Sequence, residues 1–385
     1  MYPLIEKFYE IFGYQKSLLS YFSPGRVNLI GEHIDYNGGL VFPAAIHLGT
    51  YGVFSLREDT LFRFFSMNFA HEGIITISLD DLTFQKEHGW ANYVKGIIFE
   101  FKKRGFNVDR GFDLLIYGTL PTASGLSSSA SIELLIAYAL NDLFDFKLSR
   151  QYLALLSQHV ENHYMGMHCG IMDQLVIAEG KKNRALLMNT ATLEIEDVPA
   201  RFSGYEWVIM NTNYPRKTTD SKYNERRKEC QIALEIAQKH YPIQYLCDMT
   251  STQIEKIKSS FPNEVIYRRA VHAVTEQERT LASKAAMEKQ DANEFARLLD
   301  LSHLSLKNDY EVTGFHLDTL VETARLYGAI GARVTGAGFG GCAIALVPEE
   351  KVKNFSEFVG KSYKEQTGIK ADFYYVTFEN GVHAL

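Results

Sequence analysis

Residues able to do chemistry gather in three glycine-containing segments of this 385-residue chain. The first, Ser23–Gly39 (S-P-G-R-V-N-L-I-G-E-H-I-D-Y-N-G-G), sets Arg26, Glu32, His33 and Asp35 among glycines. It offers charge of both signs on a backbone that can approach a ligand closely. The second, Leu120–Glu133 (L-P-T-A-S-G-L-S-S-S-A-S-I-E), is almost free of bulky side chains. A strand-like run, Phe112–Tyr117, leads into it and an apolar run, Ile132–Leu140, leaves it. Its last serines stand at a helix start, where unpaired N–H groups and the macrodipole favour an anion. A phosphate cradle is one reading. A small-residue turn with an ordinary serine N-cap is the other, and the stretch alone allows both equally. The third segment is Gly331–Cys342, G-A-R-V-T-G-A-G-F-G-G-C.

Competing chemistries fail on context. Gly336–Gly341 satisfies G-x-G-x-x-G, but C-A-I-A-L-V follows, which reads as a buried strand. A dinucleotide fold requires a helix there. No lysine follows a glycine loop at Walker spacing, and the kinase motifs H-R-D and D-F-G are missing from the sequence. His159–His163 (H-V-E-N-H) resembles a zinc helix, yet its glutamate comes one place late. At about 100° per residue, Glu161 would lie about 200° from either histidine on an α-helix.

The composition bounds the rest. Hydrophobic residues make up 46% and charged residues 22%, ordinary for a soluble globular protein. A net charge of −6 argues against a nucleic-acid binder, and Arg226-Arg227-Lys228 is interleaved with Glu225 and Glu229. The N-terminus suits an amphipathic helix and no apolar run approaches the ~20 residues that span a bilayer. Cys169, Cys230, Cys247 and Cys342 form no CxxC pair and read as reduced thiols of a cytoplasmic protein. Two domains is the natural expectation at this length.

Positioning elements follow from periodicity. Strands are expected at 18–22, 41–46, 52–56, 61–65 and 74–78, then a helix at 90–102 ending at Gly105. A helix is expected at 150–164, with Gly166–Gln174 breaking the pattern. Strands at 185–189 and 206–210 precede helices at 221–239, 254–258, 265–289, 292–308 and 317–327. Strands at 332–335, 342–347 and 373–377 enclose a helix at 350–363. The shift from strand-rich to helix-rich near residue 200 is the expected boundary, giving domains 1–200 and 201–385.

Together the three segments resemble the motifs of the GHMP small-molecule kinases. The first is similar to the signature of the galactokinase family, the second to the ATP loop, and the third to the C-terminal glycine motif. C-G-I-M-D-Q at Cys169–Gln174, S-K-Y-N-E-R-R at Ser221–Arg227 and S-L-K-N-D-Y-E-V-T-G at Ser305–Gly314 also match that family. The resemblance implies an α+β, two-domain GHMP kinase fold. Its N-terminal domain would be ribosomal-protein-S5-like and its C-terminal domain ferredoxin-like α/β, with the active site between them. The implied activity is ATP-dependent phosphorylation of the anomeric hydroxyl of α-D-galactose, the opening step of galactose catabolism in the Leloir pathway.

Residue by residue, the resemblance makes Asp173 the general base. Arg26 beside it would keep that carboxylate ionised and offset phosphoryl charge. Glu32, His33, Ile34, Asp35 and Tyr223 fall at sugar-contacting positions. Ala123, Ser124, Gly125, Leu126, Ser127, Ser128 and Ser129 would hold the triphosphate, with Ser66 a further nucleotide contact. Ser129 and Glu161 would ligate Mg2+ through hard oxygens. Galactose and ATP are the implied partners of a cytoplasmic monomer that uses neither nucleic acid nor membrane. The chain departs from the family at Ile34, where galactokinases usually carry threonine. A kinase for a related sugar such as N-acetylgalactosamine, or a non-catalytic galactose sensor, are the alternatives. A sensor is expected to have a damaged ATP loop or base, and Gly125–Ser131 and Asp173 are intact here.

Overall fold

The computed structural model describes residues 2–121, 125–167, 169–215 and 219–385. Three sheets organise it. The largest has six strands in the order β13-β1-β3-β6-β4-β5. These are β1 (Leu19–Asn28), β3 (Pro43–Leu56), β4 (Leu61–Ser66), β5 (Ile75–Ser78), β6 (Phe112–Gly118) and β13 (His383–Ala384). A three-stranded sheet joins β2 (Leu40–Val41), β7 (Arg184–Asn189) and β8 (Ile195–Pro199). A four-stranded sheet runs β10-β11-β9-β12: β9 (Tyr205–Asn211), β10 (Gly331–Thr335), β11 (Cys342–Pro348) and β12 (Asp372–Val376). All pairings are antiparallel except β4 with β6.

In chain order the helices are α1 (Tyr2–Phe12), α2 (Ala91–Lys103), α3 (Ser128–Leu143), α4 (Arg150–His159) and α5 (Met172–Glu179). They continue with α6 (Thr219–Ala237), α7 (Ser251–Lys256), α8 (Glu264–Glu288), α9 (Ala292–Asn308), α10 (Gly314–Leu326) and α11 (Glu349–Thr367). None of the helices, among the described residues, is long and apolar enough to cross a membrane.

The helix that follows the small-residue loop is the hub. Leu134, Leu135, Ile136, Ala137 and Leu140 of α3 are buried, because this helix packs on β1 and β3 and also on α2, α4 and α5. A helix that is apolar on several faces is a core helix, which explains the run from Ile132 to Leu140, interrupted only by the buried Glu133. Ser131, buried on the same helix, satisfies its hydroxyl by donating to the Ser23 carbonyl at 2.8 Å.

The observed elements differ from the sequence expectation in four instructive places. The strands expected at 41–46 and 52–56 are one long strand, β3, since Gly49 and Gly52 lie inside the ladder and not at turns. The helix expected through 164 loosens into a π-turn at Val160–Tyr164. The segment read as broken at Gly166–Gln174 starts a helix at Met172, so Asp173 stands in a first helical turn. Strands β8 and β13 were not foreseen, and β13 returns from the far end of the chain to pair with β1.

Candidate active site

Arg26 reaches the centre of the molecule through an irregularity in β1. The ladder between β1 and β3 shifts register between Pro24 and Arg26, a bulge of the kind that re-aims a side chain. Gly25 at the bulge admits the small-residue loop. A β-carbon there would stand 2.7 Å from the Leu126 carbonyl, and the Arg26 amide donates to that same oxygen at 3.2 Å. Arg26 then spans the gap. Its Nη1 donates to the Gly125 carbonyl at 2.7 Å, while Nε and Nη2 grip both oxygens of Asp173 at 2.8 and 2.9 Å. Such a fork fixes geometry as well as charge.

Ser127 decides between the two readings of its loop. It occupies the N-cap of α3 with left-handed φ and ψ of 62° and 48°, but its hydroxyl caps nothing. It donates to Asp173 Oδ2 at 2.5 Å instead. The first turn of α3 is therefore left without a side-chain cap, as an anion site requires. Gly125, Ser127, Ser128 and Ser129 line that cavity, whose volume is about 360 Å³. Leu126 is fully buried in the core and contributes backbone only. Ala123 and Ser124 lie outside the described residues.

Glu161 is brought in by the π-turn. It sits in the extra-residue turn, a frequent device at functional sites. Val160 meanwhile packs against Gly96 of α2, where a β-carbon would meet its Cγ1 at 2.6 Å. The buried Glu161 accepts from Ser129 Oγ at 2.8 Å and from Gln174 Nε2 at 2.5 Å. Burial pushes its carboxyl up, opposed by Ser129 and reinforced by Asp173. Glu133, one turn beyond Ser129, is also fully buried, and burial and the Glu161 charge push it well up. Three carboxyl groups thus surround the loop with Arg26 beside them. His159 and His163 stack on each other at 4.0 Å, and no cluster of three metal-ligating side chains occurs among the described residues.

The opposite wall of the cavity is built from Glu32, His33, Asp35 and Tyr223. Glu32 forms an ion pair with Arg333, a fully buried residue of β10. Burial pushes its carboxyl up while Arg333 and Arg26 oppose the shift. Asp35 rests on Gly170: a β-carbon at that glycine would lie 1.8 Å from Asp35 Oδ2. Burial, then the charges of Asp173 and Glu32, push Asp35 up to about 7. The Tyr223 ring stands 5.7 Å from that of His33 and 5.5 Å from that of Tyr36.

His33 narrows one expectation, since it lines the cavity but is already engaged. Its ring nitrogens are both occupied, Nε2 by the Ala337 carbonyl at 3.1 Å and Nδ1 by the Tyr36 hydroxyl at 2.8 Å. A carbonyl only accepts, so Nε2 carries the proton and Nδ1 accepts from Tyr36. Burial pushes the imidazole down to about 3, which keeps it neutral. It serves as a wall that ties the first motif to the third, with no ring nitrogen left for a hydroxyl. Ile34 corrects another. It is fully buried in the apolar core, its side chain packed against Gly39, and it does not line the cavity. Ser66 also stays away, buried at the end of β4.

Several lining or supporting residues escaped the sequence reading. Asn224 lies beside Tyr223, and Gly336 and Ala337 come from the third motif. Arg333 had a signal, since a lone charge inside a strand-like apolar run implies a buried partner. Gln174 stood in the M-D-Q match without a role. Glu133 closed the small-residue segment but read only as part of a helix.

Comparison with known proteins accounts for this arrangement. Residues 6–56 match the galactokinase galactose-binding signature, residues 92–181 the GHMP kinases N terminal domain and residues 283–365 the GHMP kinases C terminal. A galactokinase from Enterococcus faecalis is 49% identical over 383 residues, covering 99% of each chain. The crystal structure of Lactococcus lactis galactokinase complexed with galactose superposes with a TM-score of 0.97 at 47% identity, covering 100% of this chain and 99% of that one. Methanococcus jannaschii mevalonate kinase shares the fold, with a TM-score of 0.67 at 20% identity over 95% of this chain and all of that one. With its signature loop, anion loop and glycine motif on one cavity and its full length matched, the chain belongs to the galactokinase family of the GHMP kinases.

Proposed function

We propose that the chain transfers the γ-phosphoryl group of ATP to the anomeric hydroxyl of α-D-galactose, giving α-D-galactose 1-phosphate and ADP. The observation that carries this is the meeting of Asp173, Arg26 and the open N-terminus of α3 on one cavity. Asp173 takes the hydroxyl proton as general base. Its two oxygens offer about four lone-pair sites and take three donors, from Arg26 twice and Ser127 once. One site on Oδ1 remains for the substrate. The hydroxyl oxygen then bonds to the γ-phosphorus, the bond to the β,γ-bridging oxygen breaks, and ADP leaves with that electron pair. Arg26 offsets charge on the transferring group, and the amides of Gly125–Ser129 hold the phosphates. Glu32 and Asp35 accept sugar hydroxyls, with Tyr223 closing over the ring.

Mg2+ fits the donor set. Ser129 and Glu161 present hard oxygens 2.8 Å apart, and a bound cation would offset the cost of keeping the buried Glu161 carboxylate ionised. When bound there, the ion would neutralise phosphate oxygens during transfer. The test is ADP release by purified protein offered galactose, glucose, N-acetylgalactosamine and talose separately. Turnover on galactose with magnesium-ATP is expected, and its absence sinks the proposal.

A further inference from the structure

The sugar loop is fastened from behind by a residue far away in sequence. Glu276 of α8 has no solvent exposure and does not line the cavity. One carboxylate oxygen, Oε1, accepts from the amides of Gly31 and Glu32 at 3.0 and 3.2 Å and from Ser302 Oγ at 2.7 Å. The other accepts from Arg279 Nε at 2.8 Å. The next peptide along is fixed as well, where His272 Nε2 donates to the Glu32 carbonyl at 3.1 Å. Two successive buried N–H groups converging on one ionised oxygen form a short, directional anchor. Without it both donors would be orphaned away from water.

We infer that Glu276 is a positioning residue for sugar recognition: its carboxylate holds the Gly31–Glu32 peptide and thereby aims the Glu32 carboxylate at the sugar. This rests on the reading of that loop as the galactose site. Rejection of an epimer depends on polar groups that cannot follow a moved hydroxyl, so the anchor acts on specificity as well as affinity. Among the described residues no hydrogen bond joins the phosphate loop to Glu276, so ATP use should be independent of it.

The experiment compares parent, E276Q and R279M enzymes by steady-state kinetics, with thermal melts to show folding. E276Q keeps the size and one acceptor but removes the charge shared by the amides and Arg279. Its KM for galactose is expected to rise about tenfold, with kcat and the KM for ATP within about twofold. Its preference for galactose over the C4 epimer should fall. R279M, altered at the outer end of the anchor, should raise the galactose KM about threefold in the same pattern. A folded E276Q or R279M with the parent's galactose KM overturns the inference, as does an equal rise in both KM values. If E276Q does not fold, R279M decides alone. A parent enzyme that fails on galactose sinks the functional reading, and this inference with it.

Discussion

The two walls of the cavity are built on opposite principles. On the side proposed for the sugar, Glu32 is paired with Arg333 and His33 with Tyr36 and Ala337, while Asp35 packs closely against Gly170. On the phosphate side the side chains are small and the ligand-facing groups are backbone amides at the start of α3. The difference follows from what each must recognise. A sugar is distinguished from its epimer by one hydroxyl, so its partners must be rigid and directional. A triphosphate is recognised by charge, which a helix start supplies through its backbone alone. The sugar wall also draws its anchors from α8 and β10, whereas the phosphate wall is local to one strand, one loop and three helices.

Where the walls meet, at Asp173, the largest effect is expected. Asp173→Asn should lower kcat by about 10²–10⁴-fold while calorimetry still detects galactose binding. Turnover near the parent rate would remove Asp173 from its role. On the sugar wall, Gly170→Ala should displace Asp35 and cost up to about 10²-fold in kcat/KM for galactose, with the KM for ATP nearly unchanged. A parallel loss for ATP would erase the contrast between the walls.

On the phosphate wall, Ser129→Ala should raise the magnesium concentration for half-maximal rate about tenfold and leave the galactose KM alone. The sugar wall should also respond to pH in the neutral range. Asp35 is pushed up to about 7, and a hydroxyl donates to the ionised carboxylate, so galactose KM should fall as pH rises through that value. Below it the protonated form accumulates and affinity drops. Asp35→Asn should flatten the profile, and His33 should add nothing because it stays neutral down to about pH 3.

The smallest effect on affinity belongs to Ile34→Thr. Its side chain packs in the core, so galactose KM should not change. A hydroxyl buried without a partner should instead lower stability by about 1–3 kcal/mol, measured by urea denaturation. A changed galactose KM would return this position to the sugar wall.

Much of the proposed site was legible in the sequence because the segments that carry the family resemblance hold residues close together along the chain. Arg26 through Asp35 lie within one segment, and the loop from Gly125 to Ser129 within another. Spacing along a helix was informative only within its own element at Glu161. The argument from 100° per residue separated it from His159 and His163, while its meeting with Ser129, implied by the resemblance, takes place across two helices through a π-turn. The same blindness applied to Ser127, whose local pattern is that of a cap and whose hydroxyl serves Asp173.

The sequence by itself determined most of the elements, the ordered motifs and the largely apolar helix α3, and the family resemblance of those motifs pointed to Asp173 and Arg26. The elements rest on periodicity and small residues, which neighbouring residues encode. Only the tertiary structure decided which groups are free to meet a ligand. It buried Ile34, took both nitrogens of His33 and gave Glu32 to Arg333 and its amide to Glu276. A polar group's availability depends on partners hundreds of residues away, and no local pattern carries that information.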